Sequence, residues 1–316
     1  MKFLRQLLWC AIIGCAGVVS TAAFADEPAQ KDVVLRGDAK CTLCHDADGF
    51  PKVMPIGKTK HGVKADARTP TCSSCHGEST NHQSGNGKPD IEFDTDSLTT
   101  PQARSAACMN CHKRDASRSH WDGSTHQGRD VACDSCHTIH TADDKVRAKK
   151  TQAEICFTCH KEQRTQANRP SHHPIPEGKM TCSDCHNAHG SAGPKSLKRD
   201  SVNETCYACH MEKRGPFVHN HEPVSENCMN CHNPHGTTAE AMLKVRPPFL
   251  CHQCHIPHGA AVPQILGRQI IPNTATTNGK SAIATTQGRS CMNCHTQVHG
   301  SNNPSATNPP AQFMLR

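Results

Sequence analysis

The most constraining feature of this sequence is a five-residue motif, Cys-x-x-Cys-His, which recurs ten times in 316 residues. The run from Cys182 to His186 is one copy. Two thiols at this spacing can add to the two vinyl groups on one edge of a porphyrin, and the adjacent imidazole can then reach the iron from one face. The motif therefore predicts covalently attached c-type haem.

The ten motifs use 20 of the 22 cysteines. A zinc site or a disulfide is the alternative for a single motif, but neither requires a histidine directly after the second cysteine at ten places. We therefore expect ten haems, numbered here in motif order. The predicted attachment residues are Cys41, Cys44, Cys72, Cys75, Cys108, Cys111, Cys133, Cys136, Cys156, Cys159, Cys182, Cys185, Cys206, Cys209, Cys228, Cys231, Cys251, Cys254, Cys291 and Cys294. The predicted proximal iron ligands are His45, His76, His112, His137, His160, His186, His210, His232, His255 and His295.

Second axial ligands can come from the histidines outside the motifs. Of 24 histidines, 14 remain for ten irons, so histidine alone is sufficient. His189 follows His186 by three residues and lies on the same side of that haem, so we expect it to bind the iron of a neighbouring haem. The 14 candidates are His61, His82, His120, His126, His140, His172, His173, His189, His219, His221, His235, His252, His258 and His299.

The composition is too polar for an ordinary protein core. Hydrophobic residues make up 35% of the chain and aromatic residues 3%, against about 45–50% apolar residues in typical domains. Ten porphyrins would supply the missing apolar volume. The expected fold is an elongated multihaem cytochrome c, with loops and short α-helices wrapped around a chain of ten haems and almost no β-sheet. One longer helix is expected over Ala142–Cys159, which is rich in helix-forming residues.

The chain divides into four predicted segments. Residues 1–25 have the pattern of a signal peptide, with Lys2 and Arg5 before an apolar stretch and an Ala-x-Ala cleavage site ending at Ala25. Lipidation of Cys15 is the alternative. Residues 26–170 and 171–300 are expected to form two halves with five haems each, and residues 301–316 a flexible tail. No run of about 18 apolar residues follows the signal peptide.

Several segments resemble a known family over essentially the whole mature chain. Residues 180–190 read Met-Thr-Cys-Ser-Asp-Cys-His-Asn-Ala-His-Gly, and residues 288–300 read Gly-Arg-Ser-Cys-Met-Asn-Cys-His-Thr-Gln-Val-His-Gly. With ten haem motifs, these segments resemble the periplasmic decahaem cytochromes of the MtrA/MtoA/PioA type. The resemblance selects His173 where the residues alone leave His172 open, and His221 where they leave His219 open. The distal ligands that it implies are His61, His82, His126, His140, His173, His189, His221, His235, His258 and His299.

The resemblance also implies a function. Family members carry electrons between the periplasm and the cell exterior inside an outer-membrane porin-like barrel, either reducing external metal or oxidising Fe(II). The implied partners are that barrel protein, periplasmic or inner-membrane cytochromes, and an extracellular multihaem cytochrome or iron. The expected location is the periplasm, in association with the outer membrane, and the protein itself is expected to be an electron carrier and no enzyme.

Two other classes of function are alternatives to the conduit. A soluble periplasmic electron shuttle or store would need no barrel. A multihaem enzyme acting on nitrogen oxides would need an open iron, usually marked by a motif lysine or too few histidines, and neither sign is present. Loss of Lys2 and Arg5 with the signal lowers the formal charge from +7 to +5, and each ferric haem adds roughly −1. The basic sequence therefore does not indicate a nucleic-acid partner.

Overall fold

The protein was analysed as a computed structural model. It describes residues 38–63, 68–94, 96–255, 291–293 and 295–302. The predicted signal peptide and nearly all of the predicted tail lie outside these residues. The ten α-helices within this part of the chain are α1 Ala39–Thr42, α2 Cys72–His76, α3 Thr80–Gln83, α4 Pro101–His112, α5 Gln152–Cys156, α6 Lys161–Ala167, α7 Cys182–Cys185, α8 Val202–Tyr207, α9 Glu222–Glu226 and α10 Phe249–His252.

Short 3₁₀ helices connect the α-helices. They cover Met54–Lys58, Ala116–Arg118, Gln127–Arg129, Cys133–Ser135, Pro194–Ser196, Met211–Lys213, Cys228–Asn230, Glu240–Met242 and Cys291–Asn293. No β-strand occurs in the described ranges, which contain only four isolated antiparallel bridges. The prediction of short helices, many loops and almost no sheet is confirmed.

The longer helix predicted over Ala142–Cys159 is wrong in extent. Only α5 is helical, and residues 142–151 form turns and bends. The cause is Asp144, whose carboxylate accepts hydrogen bonds from the His137 ring and from the backbone N–H of Thr138. These contacts draw the chain back towards the preceding motif, and tertiary contacts of this kind override helix propensity.

Successive motifs are joined in pairs by polar side chains that lie just before the first cysteine of the earlier motif. Asp38 Oδ1 accepts from the backbone N–H of Cys72 at 2.6 Å, and Asn203 Oδ1 accepts from that of Cys228 at 2.7 Å. Gln152 Oε1 accepts from the backbone N–H of Ser183 at 2.9 Å. Because Asp38 and Asn203 are buried, these bonds satisfy polar groups that would otherwise destabilise the fold.

An ion pair joins motif three to motif four. The guanidinium of Arg104, on α4, lies 3.1 Å from the carboxylate of Asp134, and both side chains are largely buried. The same guanidinium donates to the carbonyl oxygen of Asp94. Contacts between helices pair the same consecutive motifs. Helix α4 packs on the Cys133–Ser135 helix, α5 packs on α7, and α8 packs on the Cys228–Asn230 helix.

The motifs that end at His186 and His232 are followed by matching loops. Asn187 Oδ1 accepts from the backbone N–H of His189 at 3.1 Å, and Asn233 Oδ1 accepts from that of His235 at 3.1 Å. Each loop then returns to its motif by an antiparallel bridge, His186 to Leu197 and His232 to Leu243. The Asn-x-His sequence therefore builds one structure twice and fixes the histidine three residues after the motif.

The polypeptide buries little apolar surface by itself. Among the described residues, the buried hydrophobic side chains are Ala107, Trp121, Ala132, Ala167 and Ala239. The described helices include none that is long and apolar enough to cross a bilayer. The boundary between the halves at residue 170 stays a prediction, and the contact of α5 with α7 joins chain from both sides of it.

Candidate haem sites

Each of the nine motifs that the structure describes in full folds as one helical turn. The backbone N–H of the motif histidine donates to the carbonyl of the first cysteine, for example His137 to Cys133 at 2.9 Å and His186 to Cys182 at 3.0 Å. The same bond closes the motif that ends at His295, at 2.9 Å. This turn brings the two thiols and the imidazole to the same stretch of surface, as attachment to one porphyrin requires.

Nine of the ten motif histidines lie beside a second histidine from another part of the chain. The ring centroids of these pairs are 5.8–6.3 Å apart. Every second histidine belongs to the distal set that the family resemblance implies. In motif order, the pairs are His45–His82, His76–His140, His112–His61, His137–His189, His160–His126, His186–His235, His210–His173, His232–His299 and His255–His221.

These separations fit one iron between each pair of rings. An Fe–N distance of about 2.0–2.1 Å on each side, plus about 1.1 Å from nitrogen to ring centroid, gives about 6.3 Å between centroids. The interplanar angles range from 10° for His137–His189 to 80° for His61–His112. Ordinary ring packing also allows such distances, but it does not explain nine pairs that each join one motif histidine to one predicted distal histidine.

Hydrogen bonds to Nδ1 leave Nε2 as the ligand atom. Eight of these imidazoles have Nδ1 within 2.8–3.0 Å of a backbone carbonyl oxygen, as metal-binding histidines usually do. Two others bond a carboxylate, His112 with Asp115 and His137 with Asp144. The eight carbonyl contacts are His76–Ile91, His82–Gly87, His126–Ala188, His140–Val53, His173–Pro234, His186–Lys195, His221–Val298 and His232–Ala241.

The electrostatic surroundings also suit metal binding. Burial lowers the pKa of His76, His189, His235 and His299 below its ordinary value. A lowered pKa favours the neutral imidazole, which is the form that binds a metal. These rings are therefore prepared as ligands before an iron is added.

A histidine three residues after a motif lies beside the motif two places earlier. His189, after motif six, lies 6.1 Å from His137 of motif four, and His235, after motif eight, lies 6.2 Å from His186 of motif six. We expect His189 to bind the iron of a neighbouring haem, and the structure places it beside motif four, two motifs before its own in the sequence. His126 and His173 lie between motifs, and each passes over the next motif in the sequence to lie beside the one after it, His160 of motif five and His210 of motif seven.

The structure distinguishes between the neighbouring residues His172 and His173. His173 lies 6.3 Å from His210. His172 uses both ring nitrogens elsewhere, Nδ1 with the carbonyl oxygen of Arg169 and Nε2 with Glu177 at 3.1 Å. This geometry favours His173 as the ligand.

The remaining choices between candidate distal histidines also agree with the set that the family resemblance implies. His221 lies 6.0 Å from His255, whereas His219 is not part of any of the nine pairs. His120 and His252 are also outside these pairs, and the ring of His252 packs edge-on against Phe249. His258 and Cys294 lie outside the described residues, so no geometry bears on the ligand predicted for His295 or on that attachment cysteine.

The attachment cysteines reveal the order of the motifs in space, which sequence reasoning missed. The first cysteines of two motifs lie close enough for a hydrogen bond between their thiols, and burial and the partner thiol together raise the pKa of Cys72, Cys108, Cys156, Cys206 and Cys251. These pairs are Cys41–Cys72, Cys108–Cys133, Cys156–Cys182, Cys206–Cys228 and Cys251–Cys291.

The second cysteines complete the series. Burial raises the pKa of the second cysteines Cys75, Cys136, Cys185 and Cys231, and the charge of a second cysteine in the following motif adds to the effect. Consecutive motifs thus come close alternately through their first and through their second cysteines, so the motifs follow one another in space in the order of the sequence. The neighbouring pairs are Cys75–Cys111, Cys136–Cys159, Cys185–Cys209 and Cys231–Cys254.

Comparison with known proteins places the chain among cytochromes. Residues 172–215 and 221–260 match a model described as doubled CXXCH motif, and residues 72–154 match one described as cytochrome c-type protein NrfB-like. The chain is 45% identical over 274 residues to multiheme cytochrome MtrA of Shewanella baltica, which covers 85% of this chain and 80% of that protein. It is 28% identical over 182 residues to cytochrome c-type protein NrfB of Escherichia coli O6:H1, covering 53% of this chain and 93% of that protein.

Proposed function

Because the chain belongs to the MtrA family of multihaem c-type cytochromes, which transfer electrons through covalently bound haems, we propose that it is a decahaem conduit across the outer membrane. The observation that supports this most is the alternating proximity of first and second cysteines in consecutive motifs. Attachment cysteines that lie close together bring the edges of neighbouring porphyrins together. Haem iron supplies a one-electron couple, and the chain holds these couples in one continuous row.

We propose that all ten haems have two histidine ligands. Nine pairs are those in the structure, and His258 is the remaining member of the distal set for His295. With both axial positions filled, none of these irons would bind a substrate, which favours a carrier over an enzyme. Two histidines also give lower potentials than a histidine with a methionine.

Passage through a membrane requires a second protein. The loop-rich chain leaves backbone polar groups that hydrocarbon cannot satisfy. We propose that an outer-membrane porin-like barrel encloses the cytochrome, with periplasmic or inner-membrane cytochromes at one end and an extracellular cytochrome or iron at the other. Such a protein is located in the periplasm, in association with the outer membrane.

Copurification tests this arrangement against a soluble shuttle. We expect an outer-membrane barrel protein to remain bound to the affinity-tagged cytochrome at 1 M salt, because enclosure does not depend on surface charge and the Debye length is then only about 3 Å. A tagged monohaem periplasmic cytochrome from the same cells is the control. Complete release of the barrel protein at this salt concentration would support the shuttle and contradict the conduit.

A further inference from the structure

The carboxylate of Asp144 contacts the ring of an iron-binding histidine, whereas most of the other paired histidines contact a backbone carbonyl oxygen. Its Oδ2 lies 2.7 Å from Nδ1 of His137, the proximal histidine of haem four. Eight other imidazoles bond a neutral backbone carbonyl at this position, as described above. An ionised acceptor makes a shorter and stronger hydrogen bond than a neutral one, and it raises the basicity of the imidazole.

Two other carboxylates lie near a proximal Nδ1, but both are weaker partners. Asp115 bonds His112 at 3.0 Å, but it is 47% exposed and its charge is shared with the guanidinium of Arg118. Glu212 is 3.8 Å from His210 and 59% exposed. Asp144 is only 16% exposed, so less of its charge is screened by water.

The position of Asp144 is well defined. Its Oδ1 accepts from the backbone N–H of Thr138 at 3.3 Å, while Oδ2 faces His137. Within the ranges that the structure covers, no lysine or arginine nitrogen is at ion-pair distance from this carboxylate. Among these described residues, no cationic side chain therefore competes with His137 for this carboxylate.

We propose that Asp144 makes His137 a stronger iron ligand and thereby lowers the reduction potential of haem four below the potentials of the haems whose ligands bond carbonyl oxygens. Reduction adds one electron to convert Fe(III) to Fe(II), and the proton stays in the hydrogen bond between Nδ1 and the carboxylate. A more basic imidazole stabilises the ferric ion more than the ferrous ion. The inference rests on the proposed ligation of haem four by His137 and His189.

This residue would create an energetic step inside the conduit. The thiol contacts place haem four between haems three and five, so electrons moving in either direction pass through it. A lower potential at this point makes the transfer to haem four uphill. Asp144 would then control the height of that step while lying outside the electron path itself.

The test is a potentiometric titration of the holoprotein with Asp144→Asn. The amide keeps the shape of the side chain and removes its charge. We expect the reduction potential of one of the ten one-electron steps to rise by about 59 mV, which corresponds to a tenfold change in its equilibrium constant. The potentials of the other nine steps should stay unchanged. Asp144→Glu, which keeps the carboxylate, should restore most of the original value.

Asp143→Asn is the matched control, because it removes the same charge from an exposed neighbour of Asp144. It should leave all ten steps within error of the wild type. An unchanged titration for Asp144→Asn, or an equal shift for both variants, would overturn the inference. If every haem is low-spin but nothing shifts, the ligation stands and only the role of Asp144 fails.

A measurement on the wild-type protein tests the proposal even if the Asp144→Asn variant does not acquire its haems. His137 and His189 are within 10° of parallel, so haem four contributes to the rhombic part of the ferric EPR spectrum. One haem in that part should show the larger ligand-field splitting of an imidazole with anionic character. If all rhombic signals have the splitting of neutral imidazoles, the inference is contradicted.

Discussion

Replacement of His173 by alanine is expected to convert one of ten ferric haems from low-spin to high-spin, whereas replacement of His172 should convert none. His173 lies 6.3 Å from His210 and bonds the carbonyl oxygen of Pro234 through Nδ1, so its loss leaves haem seven with one axial ligand. His172 is engaged with Arg169 and Glu177. EPR and optical spectra of the two oxidised variants measure the difference.

The two variants control for one another, because they change the same residue type at adjacent positions. Mass spectrometry of both should show ten covalent haems, since thioether bonds do not depend on the distal ligand. A high-spin signal from His172→Ala instead of His173→Ala would reverse the assignment. No high-spin signal from either variant would contradict bis-histidine ligation of haem seven.

Replacement of Gly236 by alanine is expected to destabilise the protein by about 3 kcal/mol and to disturb haem six. Gly236 has φ +127°, and an added Cβ would clash with the backbone oxygen of Gln166. Relief of this clash would shift His235, which is 6.2 Å from His186. Denaturant unfolding and the high-spin fraction of the ferric protein measure the two effects.

Gly123→Ala separates backbone strain from the steric clash. Gly123 also has a positive φ, +83°, but an added Cβ would meet nothing within 4 Å. We expect it to cost only about 1–2 kcal/mol, the ordinary cost of a left-handed residue, and to leave all haems low-spin. Equal destabilisation by the two substitutions would show that the contact with Gln166 contributes nothing.

Sequence reasoning was most informative where contacts are local. The spacing within each motif implies that two thiols and one imidazole lie together, and the structure builds this with a single turn from cysteine to histidine. The distal partners are different, because His140 lies beside His76 although 64 residues separate them along the chain. No local pattern encodes such a contact, so the distal set came from family resemblance and its pairing from the structure.

Polar residues before the motifs carried a signal that sequence reasoning did not use. Asp38 and Asn203 each stand three residues before the first cysteine of a motif, and each binds the backbone of the next motif. Their regular position could have suggested that motifs are joined in pairs. The helix predicted over Ala142–Cys159 fails for a related reason, because Asp144 bonds His137 and draws the chain back towards the preceding motif.

The conduit proposal is tested most directly by electron transfer across a sealed membrane. A reduced redox dye is trapped inside liposomes that contain either the cytochrome alone or the cytochrome with its copurified barrel protein, and an external iron(III) complex is then added. We expect rapid oxidation of the dye only with the complex, because the proposed conduit crosses the bilayer inside its barrel protein, and exposed loop backbone would leave polar groups unsatisfied in hydrocarbon. No oxidation with a verified, fully haem-loaded complex would contradict the conduit, and rapid oxidation by the cytochrome alone would contradict the need for a barrel.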